Sequence, residues 1–188
     1  MITLTINGRT IETEPGRMLL AVCREHNIDV PALCNVDGMT PTGACRMCVV
    51  EVEGARSLVT SCSTEAQDGM VVKTHSPRVL QARRTIVKLL LASHPDDCLY
   101  CERSGTCELQ TLARQMNVNE RRFTGAVERH DLDLSSPSIV RDQDKCILCG
   151  RCVRVCEEVQ GVAAIDFIGR GCQTTVGTAY DQGLNVST

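Results

Sequence analysis

The sequence predicts an α+β protein, on three observations. Its first residues alternate apolar and polar side chains as short strands do, a single helical apolar period follows, and strand-like runs return after a cysteine-bearing gap. Farther on, a longer helical period runs from Pro77 to the early nineties. The two patterns are distinct because a half-buried strand repeats every second residue and a helix every 3.6 or so.

Ile2, Leu4 and Ile6 mark the first strand, and Asn7-Gly8 marks a tight hairpin, since both central residues of such a turn take positive φ. Thr10 to Thr13 forms the second strand, ended by Pro15-Gly16. Met18 to His26 carries apolar residues at helical spacing, with Asn27 as its C-terminal cap. Cys23 falls one turn after Leu19 and reads as a small buried hydrophobe. Val50 and Val52 alternate with Glu51 and Glu53, and Ser57–Thr60 and Met70–Lys73 read as further strands. A hairpin, one helix and returning strands over residues 1–76 suit a β-grasp domain.

Ser76-Pro77 starts a helix, because Ser caps and Pro suits the first helical position. Val79, Ala82, Ile86, Leu89 and Leu90 give its apolar period, and Pro95 forces an end near His94. Glu108–Met116 is a second, shorter helix, and the polar residues 118–144 form a surface connection. A strand is expected over Ala163–Ile168. The resulting division is 1–76, a helical segment 77–135 and a final segment 136–188.

Aromatic residues make up only 2% of the 188, with Tyr100, Tyr180, Phe123 and Phe167 the only large rings, so the core lacks its bulkiest fillers. Bound metal is the expected substitute, and the metal-free chain is expected to be largely unfolded. The N-terminus has no signal segment and no apolar run reaches membrane-spanning length, which implies a cytoplasmic protein without a transmembrane segment. There thiols stay reduced, and cysteine-rich patterns read as metal sites. A net charge of −3 argues against nucleic acid as a partner.

Eleven of the 13 cysteines form three groups; Cys23 and Cys172 are left over. Cys34, Cys45, Cys48 and Cys62 are separated by ten, two and thirteen residues, with a single close pair where a structural zinc site has two. This spacing favours an iron–sulfur centre, although plant-type ferredoxins place four residues in the first gap. Gly38 and Gly43 in the long gap would let backbone N–H groups approach the sulfurs. His94, Cys98, Cys101 and Cys107, with gaps of three, two and five, would taken alone suit a structural zinc site equally well. Their place between two other sulfur-rich sets favours a redox relay station. His26, His75 and His130 have no such company and read as surface residues. Cys146, Cys149, Cys152 and Cys156 have the bacterial ferredoxin spacing, with Glu157 where proline usually follows. In two-cluster ferredoxins the fourth cysteine serves the other cluster. Cys156 closing its own cluster, Cys172 serving, and a ligand beyond this sequence all stay open, the last being preferred.

The three sets in this order resemble the N-terminal electron-transfer region shared by several related oxidoreductases. These are the large iron–sulfur subunit of bacterial complex I, NAD(P)-linked iron-only hydrogenases, NAD-linked formate dehydrogenases and diaphorase subunits of bidirectional hydrogenases. The resemblance runs from the Met1 strand to Gly169-Arg170-Gly171. It implies a β-grasp [2Fe–2S] ferredoxin-like domain with the cluster on Cys34, Cys45, Cys48 and Cys62, and a [4Fe–4S] cluster on His94, Cys98, Cys101 and Cys107. In two-cluster relatives, Cys146, Cys149 and Cys152 would hold a further [4Fe–4S] cluster and Cys156 would serve the next. Those relatives carry a second four-cysteine run soon after the point where this sequence stops. Complex I usually lacks a ligand at the Cys156 position, which favours the hydrogenase and formate dehydrogenase branches.

No glycine-rich nucleotide loop or catalytic acid–base pair is visible, so no catalytic site of its own is expected. The expected function is electron relay between a flavin/NAD(H)-binding subunit and a catalytic oxidoreductase subunit, with ferredoxin a further partner. A zinc-stabilised scaffold would use the same ligands, a redox sensor would need an output element that the sequence does not show, and an N-terminal part of a catalytic hydrogenase or formate dehydrogenase chain stands as another reading. Arg83, Arg84 and Lys88 read as a basic stripe joined by Arg121-Arg122, a solvated face in preference to a docking one.

Overall fold

The computed structural model describes residues 1–120, Phe123 and 129–186. They divide into two compact units. The first comprises Met1–Asn35, Pro41–Lys88 and Gly105–Asn119, and the second comprises Val36–Thr40, Leu89–Ser104 and the described residues from Glu120 onward.

The first unit is built on β1 (Ile2–Ile6), β2 (Arg9–Thr13), α1 (Leu19–Glu25), β3 (Val49–Val52), β4 (Val59–Thr60) and β5 (Val71–Lys73). Its sheet runs in the order β2-β1-β5-β3-β4. The β1–β5 pair is parallel and the other pairs are antiparallel. Ile6 pairs with Arg9 across a two-residue turn in which Asn7 and Gly8 take φ of 51° and 80°, as the Asn-Gly pair predicts. Leu4, Ile6 and Ile11 face the core and meet Leu19, Leu20, Val22 and Cys23 of α1. Asn27, at φ 55°, ends that helix and donates its N–H to the Arg24 carbonyl. Cys48 and Cys62 belong to the same hydrophobic cluster, so two of the candidate ligands are themselves core residues. The expected strand over Ser57–Thr60 shortens to β4, and Cys62 lies in the turn after it.

Helix α2 spans Pro77–Ser93, and Ser76 Oγ accepts the Val79 N–H at 3.3 Å, the cap that Ser-Pro predicts. Its fully buried stripe is Val79, Arg83 and Val87, four residues apart, whereas Leu89 is 54% exposed. The expected solvated basic stripe is therefore corrected at Arg83, which is buried; Arg84 is exposed and donates its Nε to the Met116 carbonyl at 3.1 Å. Arg121 and Arg122 lie outside the described residues. Helix α3, Glu108–Gln115, buries Leu109 and Leu112.

In the second unit, α4 (Arg151–Arg154) continues as a π-helical turn over Val155–Val159. Strands β6 (Asp166–Ile168) and β7 (Thr175–Gly177) pair antiparallel. The strand expected from Ala163 begins only at Asp166, and Ala163 has φ of 50°. Within the connection, Asp133 and Arg141 exchange backbone hydrogen bonds and form a 3.0 Å ion pair. No helix among the described residues is long and apolar enough to cross a membrane.

Candidate metal centres

The chain from α1 to β3 carries Cys34, Cys45 and Cys48, and the turn after β4 returns Cys62 to them. Cys34, Cys48 and Cys62 are buried and Cys45 is half-buried. The Cys34 sulfur is hydrogen-bonded by the thiols of Cys45 and Cys62, and that of Cys48 by the Cys62 thiol, so the structure gathers all four. Arg46, at φ 58°, turns the chain so that the Met47 N–H reaches the Cys45 sulfur, and the Cys45 N–H reaches that of Cys34. The Thr42 and Ser61 hydroxyls approach Cys34 and Cys48. Gly38 and Gly43, in the same loop, take φ of 82° and 62°, the latter beside Thr60 and Ser63.

Donation from Cys45, and then from Cys62, holds the Cys34 thiol well below the usual range. The Cys62 hydrogen bond likewise brings Cys48 down to about 6. Cys45 is pushed up by its bond to Cys34, and Cys62 by its bonds to Cys34 and Cys48. Four thiols in one small, dry site share protons because they cannot all ionise beside one another without compensating cations. Irons would supply that charge, and the N–H groups already aimed at the sulfurs would stabilise thiolates. The residues fit a [2Fe–2S] group.

His94 follows the last residue of α2, and its Nδ1 lies 3.1 Å from the Pro95 carbonyl oxygen. A carbonyl only accepts, so Nδ1 is the donor, and in the neutral ring Nε2 is then left with a lone pair, the arrangement of metal-ligating imidazoles. Cys98 opens a 3₁₀ turn, Cys98–Tyr100, and the Cys101 N–H donates to the Cys98 carbonyl. Those three residues belong to the second unit, whereas Cys107 belongs to the first, where it precedes α3 and accepts the Thr111 N–H on its carbonyl.

Cys146, Cys149 and Cys152 lead into and along α4. Leu148, at φ 53°, donates its N–H to the Cys146 sulfur at 3.4 Å. Partial desolvation pushes the Cys146 and Cys152 thiols up although both residues are exposed, and each also feels Cys149. Cys156 sits in the π-helical turn, its sulfur 3.2 Å from the Ala164 N–H that donates to it. A cavity of about 610 Å³ is lined by Cys146, Cys152, Leu148, Arg141, His130 and the unassigned Cys172. This is room enough for an inorganic cluster. His130 is thus beside a candidate centre, which its isolation in sequence did not suggest. Among the described residues, no group of three or more His, Cys, Asp or Glu side chains is arranged to hold a single metal ion.

Three family models match in chain order. Residues 1–77 match the 2Fe-2S iron-sulfur cluster binding domain, residues 83–122 the NADH-ubiquinone oxidoreductase-G iron-sulfur binding region, and residues 136–188 the ferredoxin-like domain of NADH-quinone oxidoreductase subunit 3. The NADP-reducing hydrogenase subunit HndD of Solidesulfovibrio fructosivorans is 44% identical over 98% of this chain and 32% of its own length. An NADH-quinone oxidoreductase G-type subunit of Rhizobium meliloti is 40% identical over 98% of this chain and 22% of its own. The chain thus spans a third or less of the length of these curated relatives. A chain in the crystal structure of an NAD+-reducing [NiFe]-hydrogenase in its H2-reduced state superposes with a TM-score of 0.91 at 32% identity, covering 100% of this chain and 79% of that one. The matched regions comprise both cluster types, [2Fe–2S] and [4Fe–4S].

Proposed function

Because this chain belongs to the iron–sulfur family that includes G-type subunits of NADH-quinone oxidoreductases and subunits of NAD(P)-reducing hydrogenases, we propose that it relays electrons inside an NAD(P)-linked complex. The observation that carries the reading is the gathering of Cys34, Cys45, Cys48 and Cys62 into one buried four-sulfur site met by backbone N–H groups. We assign the [2Fe–2S] cluster to these four residues. His94 through Nε2, with Cys98, Cys101 and Cys107, holds a [4Fe–4S] cluster, and Cys146, Cys149 and Cys152 supply three ligands of another. The fourth ligand of that last set is open between Cys156, Cys172 and residues outside this sequence. The division 1–76, 77–135 and 136–188 assigns one ligand set to each segment.

Iron–sulfur clusters supply stepwise one-electron chemistry. The residues around them do the rest. Burial of Cys34, Cys48 and Cys62 keeps water from the sulfurs, and the N–H donors fix sulfur positions and temper thiolate charge. The Pro95 carbonyl holds the proton on His94 Nδ1 and so fixes the tautomer. Leu99 and Tyr100, 91% and 89% exposed between Cys98 and Cys101, offer an apolar tip beside a candidate ligand pair, which suits docking of a partner subunit. The partners this reading requires are a flavin/NAD(H)-binding subunit as one terminus and a catalytic oxidoreductase subunit, such as a hydrogenase or a formate dehydrogenase, as the other, in the cytoplasm; ferredoxin is a further candidate.

An anaerobic coulometric titration of the cluster-loaded chain tests the proposal. Reversible uptake of one electron per centre, returned to an oxidised ferredoxin or flavoprotein, is expected. A loaded chain that neither accepts nor returns electrons contradicts it.

A further inference from the structure

Arg83 is the largest fully buried side chain among the described residues. It lies on the Val79–Val87 stripe of α2, at 0% exposure, where a charged residue is costly unless something requires it. Its hydrogen bonds do not go to carboxylates. Nε donates to the Met47 carbonyl at 3.1 Å and Nη2 donates to the Val49 carbonyl at 2.9 Å. Those carbonyls stand on either side of Cys48, so the guanidinium brackets that residue's backbone. The third nitrogen, Nη1, is buried with no hydrogen-bond partner. Of the ionisable groups around the guanidinium, Cys48 bears on it most, ahead of Asp29, which is exposed to solvent.

Two carbonyl contacts anchor the side chain but leave its positive charge uncancelled. A carbonyl bracket alone would be served by neutral donors. A fixed cation in a dry site acts more strongly on a nearby charge than one in water does.

We propose that Arg83 is a positioning and potential-setting residue for the [2Fe–2S] centre, bracketing the Cys48 backbone and holding the midpoint potential up by placing a fixed, buried positive charge near that ligand. The balance is one electron in, from a one-electron carrier such as dithionite or a reduced ferredoxin, and no proton transferred. The negative charge that arrives with the electron is the charge that the guanidinium stabilises. Net charge and hydrogen bonding around the sulfurs are the levers by which proteins set such potentials. The inference rests on the assignment of Cys48 as a [2Fe–2S] ligand.

The test is an EPR-monitored redox titration of the cluster-loaded full chain with three substitutions at one position. Arg83→Lys keeps the charge, Arg83→Gln removes it but keeps a donor, and Arg83→Met fills similar volume with no polar atom, which secures folding should the glutamine variant fail. Both neutral variants are expected to shift the [2Fe–2S] midpoint to more negative potential, with the lysine variant remaining near wild type and the [4Fe–4S] midpoints unmoved in all three. A neutral variant loaded with [2Fe–2S] at the wild-type midpoint overturns the proposal, as does a lysine variant shifted as far as the neutral ones. Loss of the [2Fe–2S] cluster from both neutral variants overturns the potential-setting role and leaves only the positioning of the Cys48 loop. A wild-type chain with no [2Fe–2S] signal would instead refute the ligand assignment.

Discussion

His94 points its Nδ1 at the carbonyl oxygen of the next residue, Pro95, at 3.1 Å, which makes Nδ1 the donor and, in the neutral ring, leaves Nε2 as the acceptor. The same proline ends α2, so one residue both stops the helix and orients the imidazole. His94→Ala should remove one [4Fe–4S] EPR signal while leaving the [2Fe–2S] signal at full intensity. His94→Cys should keep the cluster at a lower midpoint potential, because imidazole in place of thiolate raises it. Unchanged spectra and iron content in both variants would show that His94 is not a ligand.

Cys23 is predicted to be inert. Burial pushes its thiol up to about 11, although Arg83 acts to lower it. A thiol with a folded pKa above its unfolded value of 9.0 binds its proton more tightly in the native state, so its contribution to stability is complete below about pH 9 and is lost as pH rises through about 11. In the loaded protein Cys23→Ala should leave iron content unchanged, cost on the order of 1 kcal/mol at neutral pH, and flatten the stability profile between pH 9 and 11. Denaturant titrations across that range check it.

Removing iron should unfold the first unit. Cys48 and Cys62 sit in its hydrophobic cluster with Leu4, Ile6 and Val72, so demetallation removes the bonds that tie the core to the Cys34–Cys45 loop and leaves polar thiols inside it. Chelator treatment is expected to abolish the sheet signal in circular dichroism and to open Cys23 to alkylation, which the loaded protein resists. Retention of a cooperative melt by the iron-free chain would show that the core stands without metal.

Gly169 links β6 to the turn before β7 at φ 77°, and a Cβ there would lie 2.4 Å from the Gln173 carbonyl oxygen. Gly169→Ala therefore meets both a left-handed backbone and an immovable atom, and is expected to cost about 1–3 kcal/mol. Gly171, at φ 60° with open space around its Cβ position, should tolerate alanine better by the margin of that clash. Limited proteolysis of the two variants compares them.

Much of this was legible in the sequence for physical reasons. The Asn7-Gly8 hairpin and the Ser76 cap follow from local backbone chemistry that tertiary context does not override. The gathering of Cys34, Cys45, Cys48 and Cys62 follows from spacing. Arg83 was missed because a basic residue is normally solvated; the signal that could have found it is its place four residues from both Val79 and Val87. The short β4 and the late start of β6 were missed because two- and three-residue strands are fixed by their partners rather than by their own pattern.

The central claim is that these cysteines hold iron–sulfur clusters for electron transfer. It is tested most directly by determining iron, acid-labile sulfide and zinc per chain in anaerobically purified protein, with low-temperature EPR of the dithionite-reduced sample. Iron with matching sulfide and overlapping [2Fe–2S] and [4Fe–4S] signals is expected. Zinc without sulfide, in material never exposed to oxygen, would contradict it and leave a structural scaffold in its place.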